Sequence, residues 1–178
     1  MTKPDDVLGK WNYGVASKFA YGDETSYKKA IEFLDGPHVI EDWGCGTAWA
    51  RKYVERGRYV GIDGSWSLHC DLLRDLRTYR STADAILMRH ILEHNWEWKK
   101  ILSNALASFH KKFCLIIFTP FGPETRSIAT TWETIPDLSF RKEDLLEFLK
   151  PYEFKEESLQ SGTQYGVEHL FYITRNTK

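Results

Sequence analysis

The sequence has few cysteines, almost no net charge and no long apolar run. Its three cysteines, Cys45, Cys70 and Cys114, are odd in number and show no paired spacing. We therefore expect reduced thiols in a cytoplasmic protein, and no metal site. A formal net charge of −1 gives no bulk attraction to nucleic acid or to an anionic membrane, which argues against both as partners. The longest apolar run, residues 113–118, is far shorter than the ~18 residues of a membrane span, and the polar N-terminus is unlike a signal peptide.

Helical and strand patterns alternate along the 178 residues of the chain. This length is typical of one doubly wound domain. The patterns predict helices and strands in turn. Helices are expected at 23–34, 96–110 and 141–149, strands at 84–88, 113–119, 153–159 and 168–175, and a long polar loop at 121–140. We interpret residues 1–38 as an N-terminal extension or lid, and residues 39–178 as the main domain.

Two glycines follow the first predicted strand. Residues 42–47 read D-W-G-C-G-T, and glycine tolerates backbone angles that other residues resist, so Gly44 and Gly46 permit a sharp turn close to a ligand. A helix predicted from residue 48 to about residue 55 would point its first N–H groups at that ligand. Asp63 ends the next predicted strand about twenty residues later, where a carboxylate can accept hydrogen bonds from two ribose hydroxyls. The pattern indicates a site for a nucleoside-bearing cofactor.

The residues around the turn argue against a dinucleotide. A dinucleotide site needs a third glycine where this chain has Trp49, and the large indole would obstruct close packing. The acidic pair Glu41 and Asp42 stands just before the turn, where it would repel a pyrophosphate. A carboxylate there suits a cationic ligand better, such as the amino group of a methionine moiety.

Three motifs resemble those of class I S-adenosylmethionine-dependent methyltransferases. Residues 42–47 look like the first motif of that family, D-x-G-C-G-T-G, and residues 61–63, G-I-D, resemble the second motif with its ribose-binding acid. Residues 83–94, A-D-A-I-L-M-R-H-I-L-E-H, are similar to the fourth-strand motif that leads into H-V-L-E-H. The resemblance implies a single-domain, Rossmann-like, doubly wound α/β fold with a mostly parallel sheet and an antiparallel C-terminal strand. It also implies S-adenosyl-L-methionine as cofactor and S-adenosyl-L-homocysteine as product.

The same resemblance implies which residues form the site. His90 is the predicted catalytic base or substrate contact, and no metal ligand is implied. The predicted cofactor contacts follow the first, second and fourth strands: Asp42, Gly44, Cys45, Gly46, Asp63, Gly64, Trp66, Asp71, Met88 and Arg89.

Two departures from the family pattern concern the glycine turn and the adenine end of the site. Ala48 replaces the third glycine of the first motif. About twenty residues separate Asp63 from Asp84, too few for a helix of about eleven residues, a strand of about five and a second helix. We therefore expect the region after the second strand to be shortened to a turn at 64–67, with a vestigial third strand at 68–70 ending at Asp71. By position Asp71 resembles the acid that binds the adenine amino group, and Trp66 is the candidate for covering the purine face.

The segment from His90 to His94 also matches H-x-x-E-H, an inverted zinc-protease pattern. That pattern needs one continuous helix, so that both histidines share a face. Here His90 directly follows a predicted strand, so the chain turns at that point. The methyltransferase interpretation is therefore preferred, with His94 and Glu93 in either a structural or a catalytic role.

The expected reaction is methyl transfer to a small-molecule acceptor by in-line displacement. A sulfonium methyl group is already electrophilic, so the protein mainly positions the acceptor and excludes water. A base helps only where the acceptor is a hydroxyl or a protonated amine. Two alternatives stay open: a nucleic-acid or protein methyltransferase of the same fold, which would present a basic, aromatic face near residues 121–141, and a non-catalytic cofactor-binding module.

Overall fold

The computed structural model describes Trp11 and residues 21–36, 38–131 and 134–175. Most of the predicted N-terminal extension, residues 1–10 and 12–20, lies outside this part of the chain. The described helices are α1 Thr25–Leu34, α2 Trp98–Ser108 and α3 Lys142–Leu149. The strands are β1 Val39–Trp43, β2 Arg58–Asp63, β3 Leu72–Leu73, β4 Ala83–Arg89, β5 Phe109–Ile117, β6 Arg126–Thr131, β7 Ile135–Ser139, β8 Glu153–Gln160 and β9 Val167–Thr174.

Seven of the strands form one sheet in the order β3-β2-β1-β4-β5-β9-β8. Strands β1 to β5 pair in parallel, whereas β9 runs antiparallel to both β5 and β8. The predicted Rossmann-like fold with an antiparallel C-terminal strand is therefore confirmed. From β1 the chain continues to β2 on one side and later to β4 on the other, and ligands of doubly wound sheets bind at such a switch point, outside the carboxyl ends of the strands.

Both faces of the sheet are covered by apolar packing. On one face α1 buries Ala30, Ile31 and Leu34 against alternate residues of the central strands, among them Leu87 and Ile116. The other face carries a larger cluster to which α2 and α3 contribute. Each fully buried aliphatic side chain stabilises the fold by about 1.5–3 kcal/mol relative to an exposed one. The central strands are thus a firm support for the loops at their carboxyl ends.

The crossovers around β2 and β3 are shorter than those of a regular doubly wound fold. The helix predicted at 48–55 is present in a shorter form, as the 3-10 helix Trp49–Tyr53, which begins after Ala48 takes a left-handed φ of 54°. The predicted strand at 68–70 is wrong, since β3 is Leu72–Leu73. The predicted loss of the helix after β2 is confirmed, because residues 64–71 form bends and turns.

The predicted polar loop at 121–140 contains a second, two-stranded sheet. Strands β6 and β7 pair antiparallel there, and all five residues of β7 are buried. The loop prediction failed because β6 is rich in Ser and Thr, whereas its Thr and Ile side chains suit a half-buried strand. Similarly, the helix predicted to reach residue 110 ends at Ser108, because the fully buried Phe109 begins β5.

Candidate functional site

The glycine turn after β1 has the conformation that its sequence requires. Gly44 has a φ of 80° and Gly46 a φ of 52°, a region in which residues with a Cβ are strained. A Cβ at Gly44 would also lie 1.9 Å from Cδ1 of Ile91. The backbone N–H groups of Gly44 and Cys45 both donate to the carbonyl oxygen of Ile62, at 2.7 and 3.0 Å. The turn is therefore fixed to the end of β2.

Asp63 ends β2 and binds this turn. Its Oδ2 accepts a hydrogen bond from the N–H of Gly46 at 2.8 Å, and its Oδ1 accepts one from the N–H of Ser65 at 2.8 Å. Burial raises the pKa of the Asp63 carboxyl, although the Ser65 and Gly46 amides act in the opposite direction. Since a carboxylate has about four acceptor positions, Asp63 keeps capacity for the two hydroxyls of a ribose while it holds the turn.

The two acidic residues before the turn point to opposite faces of the sheet, as successive strand residues do. Glu41 accepts hydrogen bonds from the indole of Trp43 at 2.8 Å and from the hydroxyl of Ser81 at 2.7 Å, so it holds the segment before β4. Asp42 accepts a hydrogen bond from the Tyr59 hydroxyl. Burial raises the pKa of Asp42 to about 7. Of the pair, only Asp42 stays a candidate for a cationic ligand.

Asp71, predicted to contact adenine, lies beside Gly61 and not at the end of a strand. Its Oδ2 accepts hydrogen bonds from the N–H of Gly61 at 2.7 Å and from the guanidinium of Arg51 at 2.6 Å. The prediction that Asp71 follows the third strand is therefore corrected, because Asp71 precedes β3. Asp75 is the acid that follows β3. The apolar pair before it, residues 72–73, is the sequence signal that could have indicated it.

The other predicted contacts near β2 and β4 are divided between surface and interior. Trp66 is 55% exposed on the segment after β2, next to the half-buried Gly64. Met88 is fully buried in the apolar core. The guanidinium of Arg89 lies 3.9 Å from the ring centroid of Tyr27. The Arg89 side chain is buried, and it donates hydrogen bonds to groups within the protein.

His90 stands directly after β4 in a left-handed conformation, with a φ of 58°. Its Nε2 lies 2.7 Å from Oε1 of Glu168, and its buried Nδ1 has no hydrogen-bond partner among the described residues. The same Glu168 oxygen accepts from the Ser26 hydroxyl at 2.9 Å and from Arg89 at 2.8 Å. Burial raises the pKa of Glu168, whereas Arg89 and the Ser26 hydroxyl lower it and favour the ionised carboxylate. Towards an ionised Glu168, Nε2 is the donor, so it carries the imidazole proton and Nδ1 offers a lone pair. Burial and the Arg89 charge lower the pKa of His90 well below its usual value.

Glu168 was missed in the sequence because nothing near it in the chain marks a site. It lies at the start of β9, and the antiparallel pairing of His169 with Ile117 brings it to the carboxyl end of β5. Only this sheet topology places it next to His90.

Glu93 and His94 form polar contacts with other groups than His90 does. Oε1 of Glu93 accepts a hydrogen bond from the N–H of Phe118 at 2.5 Å, and burial raises the pKa of Glu93 to about 7. Nδ1 of His94 lies 3.2 Å from Oδ1 of Asp137. The segment 92–94 is a 3-10 turn, so the two histidines do not share a helix face. Within the described ranges, no group of three or more His, Cys, Asp or Glu side chains is arranged to hold a metal ion.

Aromatic rings surround Phe118 at the carboxyl ends of β4 and β5. The centroid of the Phe118 ring lies 4.7 Å from His90, 5.3 Å from His94, 5.8 Å from Tyr21 and 5.6 Å from Tyr165. The Tyr165 hydroxyl donates to Asp137 at 2.8 Å, which fixes its ring. Phe118 itself is buried, so the exposed Tyr21 and the half-buried Tyr165 offer the flat surfaces against which a planar molecule can stack. None of the described helices is long and apolar enough to span a membrane.

No family model matches the sequence, and a search of curated proteins finds no significant match. Solved structures do match. One is the 1,6-didemethyltoxoflavin-N1-methyltransferase of Burkholderia thailandensis, solved with bound 1,6-didemethyltoxoflavin and S-adenosylhomocysteine. Its TM-score is 0.68 at 16% identity, over 88% of this chain and 80% of its own. Magnesium protoporphyrin IX methyltransferase of Synechocystis PCC 6803, solved with bound S-adenosylmethionine, has a TM-score of 0.57 at 13% identity over 85% of this chain and 80% of its own. Mitomycin 7-O-methyltransferase gives 0.56 at 13% identity, over 84% of this chain and 53% of its own.

The chain therefore has the fold of class I S-adenosylmethionine-dependent methyltransferases. At these identities the similarity defines the fold alone, and fold by itself does not define function.

Proposed function

We propose that this protein binds S-adenosyl-L-methionine and transfers its methyl group to a small-molecule acceptor. The observation that carries the proposal is the position of Asp63. This buried carboxylate ends β2, hydrogen-bonds to the glycine turn and keeps acceptor capacity for a ribose. The glycine turn fits the same cofactor, because the left-handed φ angles of Gly44 and Gly46 bring the backbone to the carboxyl end of β1 without side chains that would cover a ligand.

Within this proposal the glycine turn, Asp42 and Asp63 would hold the cofactor. When bound, the cofactor supplies an electrophilic methyl group on a sulfonium sulfur. The protein's own part is to orient the acceptor, exclude water and remove a proton where the acceptor carries one. The aromatic cluster around Phe118 would orient the acceptor at the carboxyl ends of β4 and β5.

His90 is the candidate base. Its lowered pKa keeps the imidazole neutral near pH 7, and Nδ1 is the nitrogen that can take a proton from a hydroxyl or an ammonium group. The Glu168 carboxylate at Nε2 fixes this tautomer and stabilises the imidazolium that forms, as a carboxylate behind a catalytic histidine does.

Charge pairing near the β6–β7 hairpin favours a small acceptor over nucleic acid. The Nε atoms of Arg126 and Arg141 lie 3.9 Å from Glu124 and 3.1 Å from Glu143. The Nζ of Lys142 lies 2.6 Å from Glu156. A basic face for a phosphate backbone would leave such cations available, whereas here each has an acidic neighbour.

The experiment that tests the proposal is a calorimetric titration of the purified protein with S-adenosylmethionine, S-adenosylhomocysteine and NADH. We expect binding of the first two and no binding of NADH. Binding of NADH alone would contradict the proposal. A screen of hydroxyl- and amine-bearing acceptors, with S-adenosylhomocysteine release as the readout, then separates an enzyme from a non-catalytic binding module.

A further inference from the structure

The thiols of Cys45 and Cys70 meet beside Gly61. Cys45 belongs to the glycine turn, and Cys70 to the segment between β2 and β3. A Cβ at Gly61 would lie 3.0 Å from the Sγ of Cys45, and the Sγ of Cys70 lies 3.8 Å from the carbonyl oxygen of Gly61. The two thiols also interact directly with each other. Gly61 thus leaves the space in which two sulfurs from different loops come together.

The two thiols differ in exposure and acidity. Cys70 is half-buried, whereas Cys45 is 8% exposed. The hydrogen bond from Cys45 lowers the pKa of Cys70, while the contact with Cys70 and burial raise the pKa of Cys45. Since the thiolate is the reactive form, Cys70 is the thiol that an oxidant would meet first. The third cysteine, Cys114, is fully buried on β5 and serves as an internal reference.

We propose that Cys45 and Cys70 form a reversible disulfide when the protein meets a peroxide. The Cys70 thiolate attacks a peroxide oxygen, the O–O bond breaks, and the released hydroxide takes a proton to become water. The sulfur of Cys45 then loses its proton and attacks the sulfenic acid on Cys70, which expels its oxygen as a second water. Two thiols are oxidised by two electrons and one peroxide is reduced to two waters. A thiol reductant reverses the reaction.

The disulfide would regulate the proposed cofactor site, a consequence that rests on the proposed function. A disulfide holds its sulfurs about 2.05 Å apart, closer than any non-bonded contact, so it must draw Cys45 toward Cys70. Cys45 lies between the two turn glycines, and the N–H of Gly46 binds Asp63. The bond would therefore shift the turn relative to Asp63 and weaken binding of the cofactor.

The modification is tested on the native, reduced, full-length protein. Equimolar hydrogen peroxide is added, free thiols are alkylated, and peptides are mapped by mass spectrometry without reduction. We expect one cross-link, between the peptides that contain Cys45 and Cys70, with the loss of two hydrogen atoms. The control variant Cys114→Ala should give the same cross-link. In Cys45→Ser the reaction should stop at a dimedone-reactive sulfenic acid on Cys70. Cross-links that involve Cys114, cross-links between molecules only, or thiols that stay unreacted would overturn the proposal.

Regulation is tested separately, by titrating S-adenosylmethionine into the reduced, oxidised and re-reduced protein. We expect a weaker affinity after oxidation that is restored by the reductant. Equal affinity in the three samples would overturn the regulatory part. If none of the samples binds the cofactor, the proposed function fails, whereas the disulfide is still decided by the peptide map.

Discussion

The imidazole of His90 and the carboxylate of Glu168 meet at 2.7 Å inside the protein, although they are 78 positions apart in the chain. This contact fixes the histidine tautomer and leaves Nδ1 as the nitrogen that can accept a proton. Glu168 therefore has two roles: it pairs with Arg89 and it orients the histidine that is proposed to act as the base.

Removal of the base should slow methyl transfer without loss of the cofactor. For a hydroxyl or protonated-amine acceptor, His90→Ala is expected to lower kcat by about 10²–10⁴-fold, the usual contribution of a general base. Glu168→Gln should lower kcat and shift the acidic limb of the kcat pH profile to lower pH, because the imidazolium of His90 loses the carboxylate that stabilises it. The surface variant Glu157→Gln is the control. Unchanged kcat in His90→Ala would remove His90 from the catalytic role.

Asp63 should determine the affinity for the cofactor. Asp63→Ala removes a carboxylate proposed to bind the ribose, and the loss of charged hydrogen bonds should weaken binding by roughly 1.5–3 kcal/mol. Calorimetric titration with S-adenosylhomocysteine measures the change. Because Asp63 also holds the glycine turn, Asp63→Asn is measured alongside and should weaken binding with a smaller loss of thermal stability. An unchanged affinity in both variants would exclude Asp63 from the site.

The two candidate acids at the adenine end are distinguishable by substitution. Since Asp71 precedes β3 and Asp75 follows it, Asp75→Asn should weaken S-adenosylhomocysteine binding more than Asp71→Asn does. Both carboxylates are ion-paired, Asp71 with Arg51 and Asp75 with Arg77, so both variants should lower the melting temperature, and it is the affinity that distinguishes them. A larger loss of affinity for Asp71→Asn would show that Asp71 contacts the adenine, as predicted from the sequence.

The pH dependence of stability should reflect Glu93. Its pKa is about 7 in the folded protein, against an ordinary value of 4.5, so the folded state retains a proton that the unfolded state releases. The protonated Glu93 therefore adds about 3 kcal/mol to the free energy of unfolding. This contribution is complete below about pH 4.5 and is lost as pH rises through about 7. Urea unfolding at pH 5 and pH 8 measures the total change, to which Asp42 also contributes because burial raises its pKa to about 7; comparison with the Glu93→Gln variant isolates the part of Glu93. Glu93→Gln should reduce the difference between the two pH values, whereas the exposed Glu124→Gln should not.

The turn should tolerate no side chain at Gly44. Gly44→Ala combines a left-handed backbone, which costs an L-residue about 1–2 kcal/mol, with a collision with Ile91. Gly166→Ala is the matched control, because Gly166 has a φ of 70° and an added Cβ there meets nothing within 4 Å. Gly44→Ala should lower the unfolding free energy more than Gly166→Ala, and the further change Ile91→Ala should recover part of the difference. Equal losses in the two single variants would show that the contact with Ile91 is unimportant.

The sequence was sufficient to predict the sheet and the glycine turn, because both depend on local patterns. Apolar runs define the buried strands, and Gly44 and Gly46 permit a turn that few other residues could form. The shortening after β2 was also predictable, since about twenty residues are too few for two helices and a strand. The boundaries were less accurate where tertiary packing decided them, as at Phe109, which begins β5 although the predicted helix extended to residue 110.

What the sequence by itself determined is the kind of fold and the residues that end its strands. The tertiary structure alone decided which side chains meet: His90 with Glu168, Cys45 with Cys70, and Asp71 with Arg51 instead of the carboxyl end of β3. These contacts join residues that are distant in the chain and depend on the strand order; the antiparallel β9 brings Glu168 to His90. No local pattern in the sequence carries that information.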